Sequence, residues 1–201
     1  MRSISAEYQR TDIKKPKPLL KGLDAQLHSL IGTNFRGGKP VLMEQLRVAE
    51  QIDADRDRWR DLPDHRLRGA LLTYREQFRR RSDKAEQLLP EALGAIREAA
   101  SRTIGITPYV VQLAGSLILY RGYVAEMATG EGKTLTAALC AVLWGWIGRP
   151  CHIITVNDYL AGRDASWMRP LYEFCGVTVG AVTGEMEAED RRAGYASDVA
   201  Y

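Results

Sequence analysis

The chain has 201 residues, 45% of them hydrophobic and 26% charged, with a formal net charge of +3. These are ordinary values for a soluble globular protein with one good core and room for a smaller attached unit. The net charge is too small to imply a nucleic-acid partner by itself, and three scattered cysteines without a CxxC spacing argue against a disulfide framework or a metal site.

Residues 1–40 hold eight Lys/Arg against three Asp/Glu, a local surplus of +5 that leaves −2 for residues 41–201. The opening stretch, ending in KKPKP, reads as a flexible basic tail. It has no apolar h-region of a secretory signal. LLKGLDAQLHSLIG suggests a short amphipathic helix closed by Gly32, and TNFRGGKP a loop.

From Val41 to about Arg102 the pattern is helical and highly charged. Met43, Leu46, Val48, Ala49 and Ile52 recur at helical steps, and Leu67, Leu71, Tyr74 and Phe78 form one stripe. A third helix follows, with Pro90 expected in its first turn and Gly105 as its stop. The arginine-rich faces read most simply as solvated helix surface.

After Gly105 the apolar content rises. Thr107 is the expected cap and Pro108 the first residue of a helix ending near Gly122. YVAEM is a strand candidate. Thr134–Ile147 reads as a helix that is apolar all round, hence buried, and the longest apolar run, Ala137–Ile147, is too short to cross a bilayer. CHIITV, VTVGAV and DVAY are further strands. Between them lie a helix capped by Asp158, which Pro170 should kink or split, and a short charged helix. Strands alternating with helices predict a parallel sheet with crossover helices. The fourth strand meets the last residue, so the chain reads as the front of something longer.

The stretch EMATGEGKTLTA, Glu126–Ala137, carries the chemistry. A strand, a glycine-rich turn, Lys-Thr and a helix together make a phosphate cradle. Gly130 and Gly132 let backbone N–H groups converge on one anion, and the helix start adds its positive end. Lys133 supplies a point charge for the terminal phosphates, and Thr134 a hydroxyl for Mg2+. Thr129 and Glu131 complete the loop, with the Glu131 side chain expected to face solvent. Met127 stands where the strict GxxxxGK[ST] pattern has its first glycine, so TGEGKT is a variant.

AEMATGEGKT followed by HIITVNDYLAGRDASWMRPLYEFCGVTVG closely resembles the first nucleotide-binding domain of the SecA family of preprotein translocase ATPases. RRAGYASDVAY and LLPEALGAIREAASRTIGITPYVVQL are similar to adjoining segments of that family. The resemblance covers roughly residues 50–201 and finds nothing to match in residues 1–40.

The resemblance implies an α/β fold: a partial RecA-like parallel sheet with a P-loop, preceded by an N-terminal helical segment. The expected division is a basic tail over 1–40, a helical region over 41–105, and an incomplete P-loop domain over 106–201. It implies ATP and Mg2+ as cofactors, Thr129–Thr134 as the phosphate loop, and Gln112 as the adenine-reading glutamine. A glutamine that only caps its own helix is the alternative. It also implies a SecY-type channel and unfolded preprotein as partners, a cytoplasmic protein peripheral at the inner face of the plasma membrane, and no nucleic acid. Anionic phospholipid and a homodimer are further associations it allows.

Two departures stand out. Thr107 replaces the arginine and Val110 the aspartate of the family's Gly-Met-Arg-x-Phe-Asp-x-Gln, which removes a charge pair near the base. The acidic Walker B segment is expected downstream of Tyr201, so these residues alone are expected to bind nucleotide without sustained hydrolysis. In TVNDYLAGRD, Thr155, Asn157 and Asp158 fall at a strand's carboxyl end. Arg163 faces either the nucleotide or its neighbour Asp164. Trp144, Trp146 and Trp167 read as core or interface anchors. A helicase lobe shares the loop variant, but the helices of 50–105 and VNDYLAGRD argue against it. The remaining alternative is a hydrolysis-incompetent remnant.

Overall fold

The computed structural model describes residues 39–80 and 84–201. The tail and the short amphipathic helix expected before residue 39 lie outside the described residues. Helices α1 (Lys39–Ala54), α2 (Arg56–Arg60), α3 (Asp64–Arg79) and α4 (Lys84–Ile104) come first. Leu67, Leu71, Tyr74 and Phe78 of α3 are all buried, as their spacing predicts. In α1 the buried positions are Gln45, Ala49 and Ile52, while Met43 is 60% exposed. The inward face is therefore rotated from the apolar reading, and a glutamine occupies it. Pro90 sits well inside α4 rather than in its first turn.

Two arginines are not surface charges. Arg97 is buried and donates to Asp53 of α1 at 2.5 Å and to the Pro108 carbonyl at 3.0 Å. Arg102 reaches Asp64, Glu98 and the Trp59 and Arg60 carbonyls, fastening α2 and α3 to the end of α4.

The second half alternates helices and strands: α5 (Val110–Tyr120), α6 (Lys133–Ile147), β1 (Cys151–His152), α7 (Asp158–Phe174), β2 (Val179–Gly180), α8 (Ala188–Tyr195) and β3 (Val199–Ala200). The sheet is parallel in the order β1-β3-β2, so the last strand lies in the middle. This is a partial RecA-like α/β fold behind a helical layer. One apolar core runs through both halves. Phe78 of α3 sets its ring edge against Trp146 of α6, centroids 5.8 Å apart, and the Trp146 indole N–H donates to the Cys175 carbonyl at 2.8 Å.

Several expectations shift. YVAEM forms no strand, because an extended segment becomes one only through ladder bonds. None of the described strands pairs with it, and Val124 is 93% exposed. The cap of α5 is Tyr109, not Thr107, whose hydroxyl instead meets that of Ser101 at 2.9 Å. With the Pro108 carbonyl held by Arg97, the helix starts after Tyr109 rather than at Pro108. Asn157 caps α7, its side chain accepting from Leu160 N–H at 2.9 Å. Asp158 accepts from Gly184 N–H at 2.7 Å. Helix α7 runs through Pro170 without dividing.

The three cysteines are free thiols, and burial pushes Cys140 up to about 12 and raises Cys151 and Cys175 as well. They behave as core residues. Among the described residues, no helix is long and apolar enough to cross a membrane.

Candidate functional site

The residues expected to form a phosphate loop, Thr129–Thr134, fall where helix α6 begins. Gly132 is the residue before its first turn, with φ +80, and Gly130 has φ +89. Both values lie in the left-handed region that disfavours side chains. They turn the chain so that the loop wraps the helix start, where the first N–H groups lack intrahelical partners. Helix α6 behind it is almost wholly buried, which fixes the loop to the core.

Thr129, Gly130, Glu131 and Lys133 are exposed, and Gly132 and Thr134 are half-buried. The Glu131 side chain faces solvent, as expected. Lys133 Nζ donates to the Ala128 carbonyl at 2.7 Å, and that carbonyl also lies 3.3 Å from Glu131 N. The lysine thus folds back over its own loop. A neutral carbonyl is a weaker partner for an ammonium than a phosphate oxygen, so this contact is exchangeable. Space beside Gly130 is open, since a Cβ built there meets nothing within 4 Å. The loop, the helix start and the lysine have the chemistry that a chain of phosphates requires, and Thr134 follows Lys133 in the first turn of α6.

Gln112 belongs to the same cluster. Its Oε1 accepts from Tyr109 N–H at 3.0 Å, and its Nε2 donates to the Glu131 carbonyl at 3.0 Å. It caps its own helix and touches the phosphate loop at once. Ser116, one turn further along α5, lies within bonding reach of the Gln112 and Thr136 carbonyls, at 2.9 and 2.8 Å. Sequence reasoning missed Ser116; its position four residues after Gln112, on the same helix face, was the available signal. It also missed Arg97, whose buried guanidinium holds the turn before α5.

The second cluster gathers at the carboxyl ends of the strands. A cavity of about 320 Å3 there is lined by Thr155, Asn157, Asp158, Tyr195 and Tyr201, among others. Arg163 pairs with Asp164 at 2.6 Å. A cavity of about 380 Å3 beside Trp59 and Glu91 shares no residue with the phosphate loop. The loop chemistry, not cavity size, locates the candidate site.

Comparison with known proteins gives the family. The SecA DEAD-like domain family matches residues 35–201. The chain belongs to the SecA family. A protein translocase subunit SecA 2 of Chlorobium chlorochromatii is 42% identical over 199 residues, covering 98% of this chain and 30% of the relative. A SecA 2 of Magnetococcus marinus is 42% identical across 95% of this chain and 29% of its own length. A protein translocase subunit SecA of Stutzerimonas stutzeri is 46% identical over 159 residues, 78% of this chain and 17% of its own length. The SecA 2 alignments reach into residues 1–40, where the residues alone offered no match. The chain spans less than a third of the length of these relatives.

Proposed function

We propose that this chain is the ATP-binding N-terminal part of a SecA-type motor, with Thr129–Thr134 holding the phosphates of Mg-ATP. One observation supports this most: two left-handed glycines, the start of α6 and the exposed Lys133 ammonium fall together within residues 130–133. Lys133 would leave the Ala128 carbonyl for a phosphate oxygen, and Thr134 would contribute its hydroxyl to Mg2+. Gln112 would meet the edge of the adenine with the N–H and lone pair its internal bonds leave free. Bound ATP supplies the free energy that a motor of this family converts into movement.

The partners proposed are those of the family role: a SecY-type channel and unfolded preprotein, met by a cytoplasmic protein peripheral at the inner face of the plasma membrane. The basic surplus in residues 1–40 suits anionic phospholipid. The reach of the SecA 2 alignments across nearly the whole chain favours a translocase of that type. Hydrolysis and translocation are proposed for the protein in that role; the binding step is the part carried by the loop described above.

Titration of Mg-ATP against the chain and against Lys133→Ala tests the proposal. The variant is expected to bind at least about tenfold more weakly, since a charge-assisted contact is lost. Equal binding by both proteins would instead favour a remnant without a working nucleotide site.

A further inference from the structure

Gln112 is buried at the start of α5, 8% exposed, yet its outer bond reaches 19 residues along the chain into the phosphate loop. Its inner bond, from Tyr109 N–H to Oε1, fixes the side chain against its own helix. The outer bond, from Nε2 to the Glu131 carbonyl, fixes the Glu131–Gly132 peptide. A Cβ built on Gly132 would lie 2.2 Å from Gln112 Nε2, so the carboxamide fills the space directly behind that glycine.

A trans peptide is planar, and its N–H points opposite its C=O. The Glu131–Gly132 peptide is trans, because the described chain has no cis bonds. With the Glu131 carbonyl held by Gln112, the Gly132 N–H is turned the other way, away from that carboxamide. In the triphosphate reading, that N–H is one of the donors an anion would meet. The side chain expected to read a base is therefore also the one that aims a phosphate-binding amide.

We propose that Gln112 is a positioning residue for the phosphate loop: its carboxamide holds the Glu131 peptide, and so orients the Gly132 amide, whether or not a base is present. This rests on the reading of Thr129–Thr134 as a triphosphate site. A primary amide has two N–H donors and two carbonyl lone pairs, and half of each is engaged internally. The other half serves the base. Contact with the base and the geometry of the loop thus pass through one rigid group, and a ligand that lacks a base still depends on it.

The test uses Mg-tripolyphosphate, which has no base to read, on the full 201-residue chain. Gln112→Glu keeps an acceptor for Tyr109 N–H but replaces the donor facing the Glu131 carbonyl with an oxygen. Gln112→Met keeps the length and removes both bonds. Tripolyphosphate affinity is expected to fall about five- to tenfold in Gln112→Glu, the worth of one hydrogen bond. Amide exchange at residues 131–133, measured without ligand, is expected to speed up by a similar factor while the unfolding midpoint stays close to wild type. If Gln112→Glu does not fold, the same two readouts on Gln112→Met decide. Unchanged tripolyphosphate affinity and unchanged exchange, with only the preference for ATP over GTP lost, would overturn the proposal. A wild type that ignores tripolyphosphate would sink the triphosphate reading instead. Faster exchange in the variant would then still uphold the brace, and unchanged exchange would end it.

Discussion

Helices α1 to α4 bury apolar residues at helical spacing, whereas the strand-bearing half leaves several large apolar residues in solvent. In the first region apolar stripes meet along whole helices, and Arg97 and Arg102 fasten the turns between them. In the second, each strand pairs through two residues only, and Val124, Ile154 and Val156 stand almost fully in solvent. The contrast separates two tasks. The helical layer supplies much of the buried packing, and the loops at the strand ends and at the start of α6, which hold the candidate site, lie on a more exposed face. Local opening is accordingly expected first around residues 124–130 and 154–157, where backbone groups outside the ladder exchange with water.

The contrast is broken most strongly from the helical side. Leu71→Ala removes a fully buried side chain of α3 and is expected to cost about 3 kcal/mol, read by urea unfolding. A cost under about 1 kcal/mol would mean that the core is not continuous at α3. Arg97→Met is expected to cost about 2 kcal/mol, because Asp53 keeps only the exposed Arg56 and the Pro108 carbonyl loses its donor. It should also speed amide exchange in residues 106–112, since Arg97 bonds the helical layer to the turn before α5. Exchange confined to α1 and α4 would contradict that link.

Gln45→Met goes the other way. Both polar atoms of Gln45 are buried without a hydrogen-bond partner among the described residues. Replacing the amide with a thioether of similar shape is expected to raise stability by about 1 kcal/mol. The smallest effect is expected on the open side. Ile154→Thr, at a residue 94% exposed, should shift stability by less than about 0.5 kcal/mol. A larger loss would show that this edge is covered in solution.

What the sequence made legible follows the same division. The α3 stripe was readable because Leu67, Leu71, Tyr74 and Phe78 are strongly apolar and locally spaced. The inward face of α1 was not, because Gln45 occupies it and hydrophobic periodicity cannot see a buried glutamine. The caps slipped by a residue or two for a tertiary reason. Arg97 holds the Pro108 carbonyl, and Gly184 claims Asp158, so Tyr109 and Asn157 cap instead. YVAEM has strand composition, but ladder partners are non-local and composition does not name them. The turn at Thr129–Thr134 and the start of α6 behind it were legible because all the parts of the motif lie within six residues. The bond from Gln112 to Glu131 was not, since only folding brings α5 beside the loop. The arginine-rich faces divided: Arg66 and Arg68 are exposed as expected, while Arg97 is buried structure.

The central claim, that the Thr129–Thr134 loop holds a triphosphate, is tested most directly by amide chemical shifts. In a titration with Mg-ATP, the largest changes are expected at Gly130, Gly132, Lys133 and Thr134, with Gln112 following and the helices α1 to α4 unmoved. Shifts that spare those four amides, or that centre on the cavity beside Trp59 and Glu91, would contradict the account.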